Sequence, residues 1–122
     1  MKIAITATGQ DLDSNVDPRF GRCAFFIIYD TESGDFKSID NASRNAMGGA
    51  GIQAAQSVAN EKVEAVITGN VGPNAYRVLS SGGIKVYTGV SGNIKAAIES
   101  FKKNELDSTE GPNVGSHFGT NQ

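Results

Sequence analysis

One cysteine and one histidine are too few for most of the ways a protein holds metal. A lone thiol, Cys23, cannot close an internal disulfide, and it falls far short of the four thiolates that commonly hold an iron–sulfur cluster or a structural zinc. Neither sign of charge dominates: 11 basic against 13 acidic residues leave a formal net charge of −2. No basic field therefore advertises nucleic acid or a membrane surface as a partner. Long apolar runs are missing as well. The opening "MKIAITATG" has one lysine and an apolar stretch too short for a secretory leader or a membrane span, so a soluble, cytoplasmic protein is expected. At 122 residues the chain has the size of one domain that can bury a core without staples.

What is present is a change of pattern part-way along. Residues 2–7 alternate and are β-branched, 23–30 ("CAFFIIYD") read as a buried strand, and Thr31 to Asp35 form a turn into 36–40, which predicts an antiparallel hairpin. From Asn45 the pattern turns helical and strand-like by turns. Ile52, Ala55, Ala59 and Val63 share one helical face, and 64–68 is a short apolar strand. Pro73 opens a second helix with Ala75, Val78 and Leu79 inside, and Gly82-Gly83 closes it. A strand at 84–88 and a helix carrying Ile94, Ala97, Ile98 and Phe101 complete the order βββαβαβα. Helical crossovers then make strands 4 and 5 parallel to strand 1, with strand 2 antiparallel, and the irregular loops collect at one edge. Residues 1–104 are expected as the domain and 105–122, rich in Gly, Asn, Ser and Thr, as a mobile tail carrying His117.

Asp11, Asp13, Asn15 and Asp17 are spaced like calcium-loop ligands. The glycine that an EF-hand needs at position 6 is Val16, however, and the bidentate Glu of position 12 is Arg22, so the acids are expected to cap turns instead. A different repeat points elsewhere: Thr8-Gly9, Thr68-Gly69 and Thr88-Gly89 each end a predicted parallel strand. Ligands in open α/β sheets bind outside such strand ends, where small residues and helix N-termini offer backbone N–H groups to an anion. The turn "MGGAG" (47–51) and the loop carrying Arg19, Arg22 and Cys23 fall on the same edge. The candidate site is thus Thr8, Gly9, Arg19, Arg22, Cys23, Gly48, Gly49, Gly51, Gly69, Asn70, Gly72 and Gly89, and it suits an anionic ligand.

Other chemistries fit poorly. "GNVGPN" lacks the Lys-Ser/Thr of a P-loop, no turn gives G-x-G-x-x-G with a later acid, and the first strand lacks the carboxylates of a two-metal nuclease. Cys23 has no histidine in the folded part to activate it and adjoins a buried strand, so a packed or rim thiol is expected, and His117 reaches a metal only if the tail folds back.

The combination "DPRFGRCAFFIIYD", "GGAG" and "AVITGNVGPNAYRVLSSGGIKVY", with the closing helix, resembles the nitrogenase iron–molybdenum cofactor biosynthesis family of NifX-like and NifB C-terminal-like domains over about residues 2–104. The resemblance implies a three-layer α/β/α, ribonuclease-H-like fold with sheet order 3-2-1-4-5. It also implies a non-enzymatic role in carrying an iron–molybdenum cofactor, an iron–sulfur precursor or a related molybdenum–sulfur cluster between donor and acceptor proteins. Cys23 would then be the candidate inner ligand, with His117 a remote second. The rival readings are a protein that binds a nucleotide or phosphorylated metabolite at the same edge, and a protein–protein adaptor.

Overall fold

The computed structural model describes residues 1–112; His117 lies outside the described residues. Three strands, β1 (Lys2–Ala7), β2 (Phe25–Asp30) and β3 (Phe36–Asp40), precede α1 (Ala50–Asn60), β4 (Ala65–Ile67), α2 (Pro73–Ser81), β5 (Lys85–Tyr87) and α3 (Ile94–Lys102). They form one five-stranded sheet in the order β3-β2-β1-β4-β5. β2 runs antiparallel to β1 and β3, whereas β1, β4 and β5 are mutually parallel, as the crossovers dictate.

The period of two along the strands sorts side chains into two cores. Ala4, Phe26, Ile28, Val66 and Val86 face α1 and α2, while Ile3, Ile5, Ile27, Ala65 and Ile67 face α3. The result is the expected α/β/α sandwich. The β2–β3 turn closes with the Gly34 N–H donating to the Asp30 carbonyl at 2.9 Å and Gly34 at φ +79°, a conformation suited to glycine. Among the described residues no helix is long and apolar enough to cross a membrane.

Three local expectations change. First, the second strand begins at Phe25, not Cys23, because the Asn41 side chain takes over the carbonyls of Gly21 and Cys23 and ends the ladder there. Second, α1 buries Ala50, Gly51, Ala54, Ala55 and Val58, with Ile52 only half-buried. Small residues let α1 lie close to the sheet and α2, and Val63 enters the core from beyond the helix end. Third, the segment after α3 is engaged as far as Thr109. Its N–H donates to the Val86 carbonyl at 2.6 Å, its hydroxyl lies 2.6 Å from that of Thr88, and its carbonyl accepts from the Tyr76 hydroxyl at 3.3 Å. A single backbone pairing of this kind covers part of the β5 edge and leaves no periodicity for sequence reading to find.

Candidate functional site

The loops that carry the candidate residues lie at the carboxyl edge of the parallel strands. The spaced aspartates at its start shape turns, as expected: Asp11 Oδ1 accepts from the Asp13 N–H at 3.0 Å and Asp17 Oδ1 from the Arg19 N–H at 3.0 Å. The loop then splits into two halves on opposite sides of the sheet.

The first half, 8–16, leans on the start of α3. The Thr8 N–H donates to the Asn15 carbonyl, Val16 to Gly92, and Ile94 to Ser14. Thr8 and Gly9 therefore belong to the α3 side. The second half, 17–24, lies over the α1–α2 face, where Phe20 is fully buried against Phe26 at a ring-centroid distance of 5.5 Å. Two close approaches fix its path. A Cβ on Gly69 would sit 2.7 Å from the Pro18 Cα, and one on Gly21 would sit 3.1 Å from the backbone of Gly51. Gly51 and Gly69 thus serve packing of the loop, and Asn70 adds a 2.9 Å bond from Nδ2 to the Pro18 carbonyl.

This path aims arginines at one place. Asp17, Arg19, Arg22, Ala24, Arg44 and Asn45 line an open cavity of about 480 Å³. Arg44, which sequence reading passed over, comes from the 41–49 loop and lies beside Arg22, whose Nη1 donates to the Arg44 carbonyl at 2.6 Å. Asp17 pairs with Arg19 at 3.7 Å and Asp40 with Arg44 at 3.9 Å. Buried Asn41 ties the two loops together. Its Nδ2 donates to the carbonyls of Gly21 (3.0 Å) and Cys23 (2.9 Å), and its Oδ1 accepts from the Ser43 hydroxyl at 2.7 Å. The signal that could have found Arg44 was its place between strand 3 and helix 1, on the edge already singled out.

The glycine turns divide by use. Gly49, at φ +72°, starts α1, and Gly72 starts α2. Neither helix has a side-chain cap or an acid in its first turn, whereas Asn93 caps α3. Gly48 and Gly49 are exposed beside the arginines' loop. The Thr-Gly steps are occupied differently: the Gly89 N–H donates to the Gly69 carbonyl at 2.8 Å, and Thr68 is buried with its hydroxyl 2.9 Å from that of Thr6. Two of the three repeats thus bond to each other, and Gly89 is not brought to the arginines.

Cys23 is placed in the core rather than on the rim. It is 0% exposed, and its Sγ lies 3.3 Å from the Phe20 carbonyl. Burial, reinforced by the Asp17 carboxylate and only partly opposed by the Asn41 hydrogen bond, pushes the thiol far above its ordinary value of 9.0. A thiol held protonated and shut from solvent is a poor metal ligand. Among the described residues, no group of three or more His, Cys, Asp or Glu side chains is placed to hold a metal ion.

The shifted thiol predicts a pH effect. Above about pH 9 the unfolded chain releases the thiol proton while the folded chain keeps it, so the unfolded state binds fewer protons and stability falls as pH rises. The contribution is whole below that pH. Urea titrations between about pH 7 and about pH 10.5 should show the wild type losing stability relative to Cys23→Ser by up to ~1.4 kcal/mol per pH unit. A difference that stays constant across the range would place the thiol in water.

Fold and site together define a small three-layer α/β domain whose loop edge gathers three arginines around one cavity. Residues 1–104 match the family described as dinitrogenase iron–molybdenum cofactor, and the chain belongs to that family. It is 36% identical over 114 residues to an uncharacterized protein of Methanocaldococcus jannaschii, covering 90% of this chain and 97% of that one. The apo form of the orange protein from Desulfovibrio gigas is 40% identical with a TM-score of 0.91, over 93% of this chain and 96% of the other. A putative NifB protein from Thermotoga is also 40% identical, with a TM-score of 0.77, over 88% and 91% of the two chains.

Proposed function

We propose that the protein is a non-catalytic carrier for an anionic metal–sulfur cofactor or precursor of the iron–molybdenum type, held at the loop edge over α1 and α2 and exchanged with donor and acceptor proteins. One observation carries this reading: arginines from two loops converge on one cavity, and the loop that carries two of them packs through Gly21 on Gly51 at the glycine-led, uncapped start of α1. Guanidinium forks and bare helix N–H groups both favour negative charge. Family membership supplies the kind of anion. With Cys23 in the core, the contact is peripheral: hydrogen bonds and charge hold the cluster, and no protein thiolate enters its inner sphere.

Anaerobic incubation with iron, sulfide and molybdate, followed by desalting, metal analysis and an absorption spectrum, tests the proposal. Retained metal with a charge-transfer spectrum is expected, unchanged by Cys23→Ser and lost at high salt, which screens surface charge. No retained metal, together with a nucleotide that raises the melting temperature, would move the function to the rival class.

A further inference from the structure

The cavity between the 17–24 and 41–49 loops differs in chemistry from the rest of the edge. Three guanidiniums (Arg19, Arg22, Arg44) and the Asn45 amide line it against one carboxylate, Asp17, and no thiol, thioether or imidazole is among its walls. Soft metal–sulfur chemistry needs such ligands for inner-sphere contact. Forked N–H donors match oxygen acceptors, and two or more guanidiniums converging from different directions fit a compact anion with oxygens on several sides.

The walls are set before any ligand arrives. Arg22 is bonded to the Arg44 carbonyl, Arg44 Nη1 lies 3.4 Å from the Ala24 carbonyl, and Asn41 fixes both loops from behind. Among the described residues, Arg19 makes one ion-pair contact and Arg44 one ion pair and one hydrogen bond, against five N–H donors in each guanidinium. Asp17 and Asp40 offset Arg19 and Arg44 in part, and the walls of the cavity of about 480 Å³ keep three guanidiniums against one carboxylate, an excess of positive charge that favours an anion between them. That space is roughly sixteen times the ~30 Å³ that a water occupies, enough for a tetrahedral anion and part of its hydration shell.

We infer that this cavity is a subsite for one tetrahedral oxyanion, held by Arg19, Arg22 and Arg44, with molybdate as its occupant. The inference rests on the carrier reading for the identity of the anion and extends it: the arginines that would neutralise the charge of a cluster also take the oxygen-ligated form of the metal.

Equilibrium dialysis of the intact protein against molybdate at low salt, with phosphate and sulfate as competitors, tests it. Saturable binding of one molybdate per chain is expected. Arg44→Ala should weaken it by about tenfold or more, Arg44→Lys should weaken it less by keeping the charge without the fork, and Arg77→Ala, on the exposed face of α2, should leave it unchanged. Competition by phosphate at equal or lower concentration overturns molybdate as the occupant. Absence of saturable binding, or binding indifferent to Arg44→Ala, overturns the subsite itself. Measuring cluster retention in the same variants separates the two ideas. Retention without an Arg44-dependent oxyanion site sinks this inference alone, and an Arg44-dependent site without retention sinks the carrier reading alone.

Discussion

Replacing Phe20 with alanine is expected to lower stability by about 3–5 kcal/mol, the usual loss for a buried aromatic. The ring is fully buried between the loop and the α1–α2 core, and its tilted contact with Phe26 at 5.5 Å adds an aromatic contribution to the burial. Phe20 sits between the two arginines of the 17–24 loop, so its ring is what pins Arg19 and Arg22 to the core. For a domain of this size the melting temperature should fall on the order of 15 °C, read by calorimetry or circular dichroism. Phe20→Leu keeps an apolar plug and should recover more than half of the loss. A fall of under ~1 kcal/mol on truncation would show that the loop is held by its backbone bonds alone.

Asn41→Ala carries the second large effect, about 3 kcal/mol, because two backbone carbonyls and the Ser43 hydroxyl lose a buried partner together, at ~1–3 kcal/mol for each group left unsatisfied. Its four short contacts join Gly21, Cys23 and Ser43, the backs of the two arginine-bearing loops. Asn41→Asp keeps the shape, loses the donor and sets a charge against two carbonyl oxygens, so it should be at least as damaging. Urea unfolding gives the stability change, and molybdate dialysis of the surviving folded protein gives the loss of loop registration. Stability near wild type in both variants would mean that the loops are joined elsewhere.

These two residues also show where sequence reading reached and where it stopped. Phe20 could be singled out because it stands in a contiguous, family-specific string, "DPRFGRC". Asn41 could not, since an asparagine after a strand reads as an ordinary turn residue. Its importance comes from partners 18 and 20 residues away. Arg44 was missed for the same kind of reason. It pairs with Arg22 across 22 residues, and no local pattern records which arginines will face one cavity.

What the sequence by itself determined is the order βββαβαβα, the strand directions, the hairpin turn at Gly34, the starts of α1 and α2 at glycine and proline, and the edge at which the irregular loops gather. These follow from period, turn chemistry and crossover handedness, all of which are local or topological. Tertiary structure alone decided which groups on that edge meet. It decided between the packed and the rim position of Cys23 in favour of the packed one, and tied that stretch to Asn41 in place of the ladder, which begins at Phe25. It also bonded Thr-Gly steps to one another instead of presenting them, and sent Thr8, Gly9 and Gly89 away from the arginines. The reason is physical: burial and hydrogen-bond satisfaction are settled between segments distant in sequence, whereas a single sequence displays only the preferences of each segment alone.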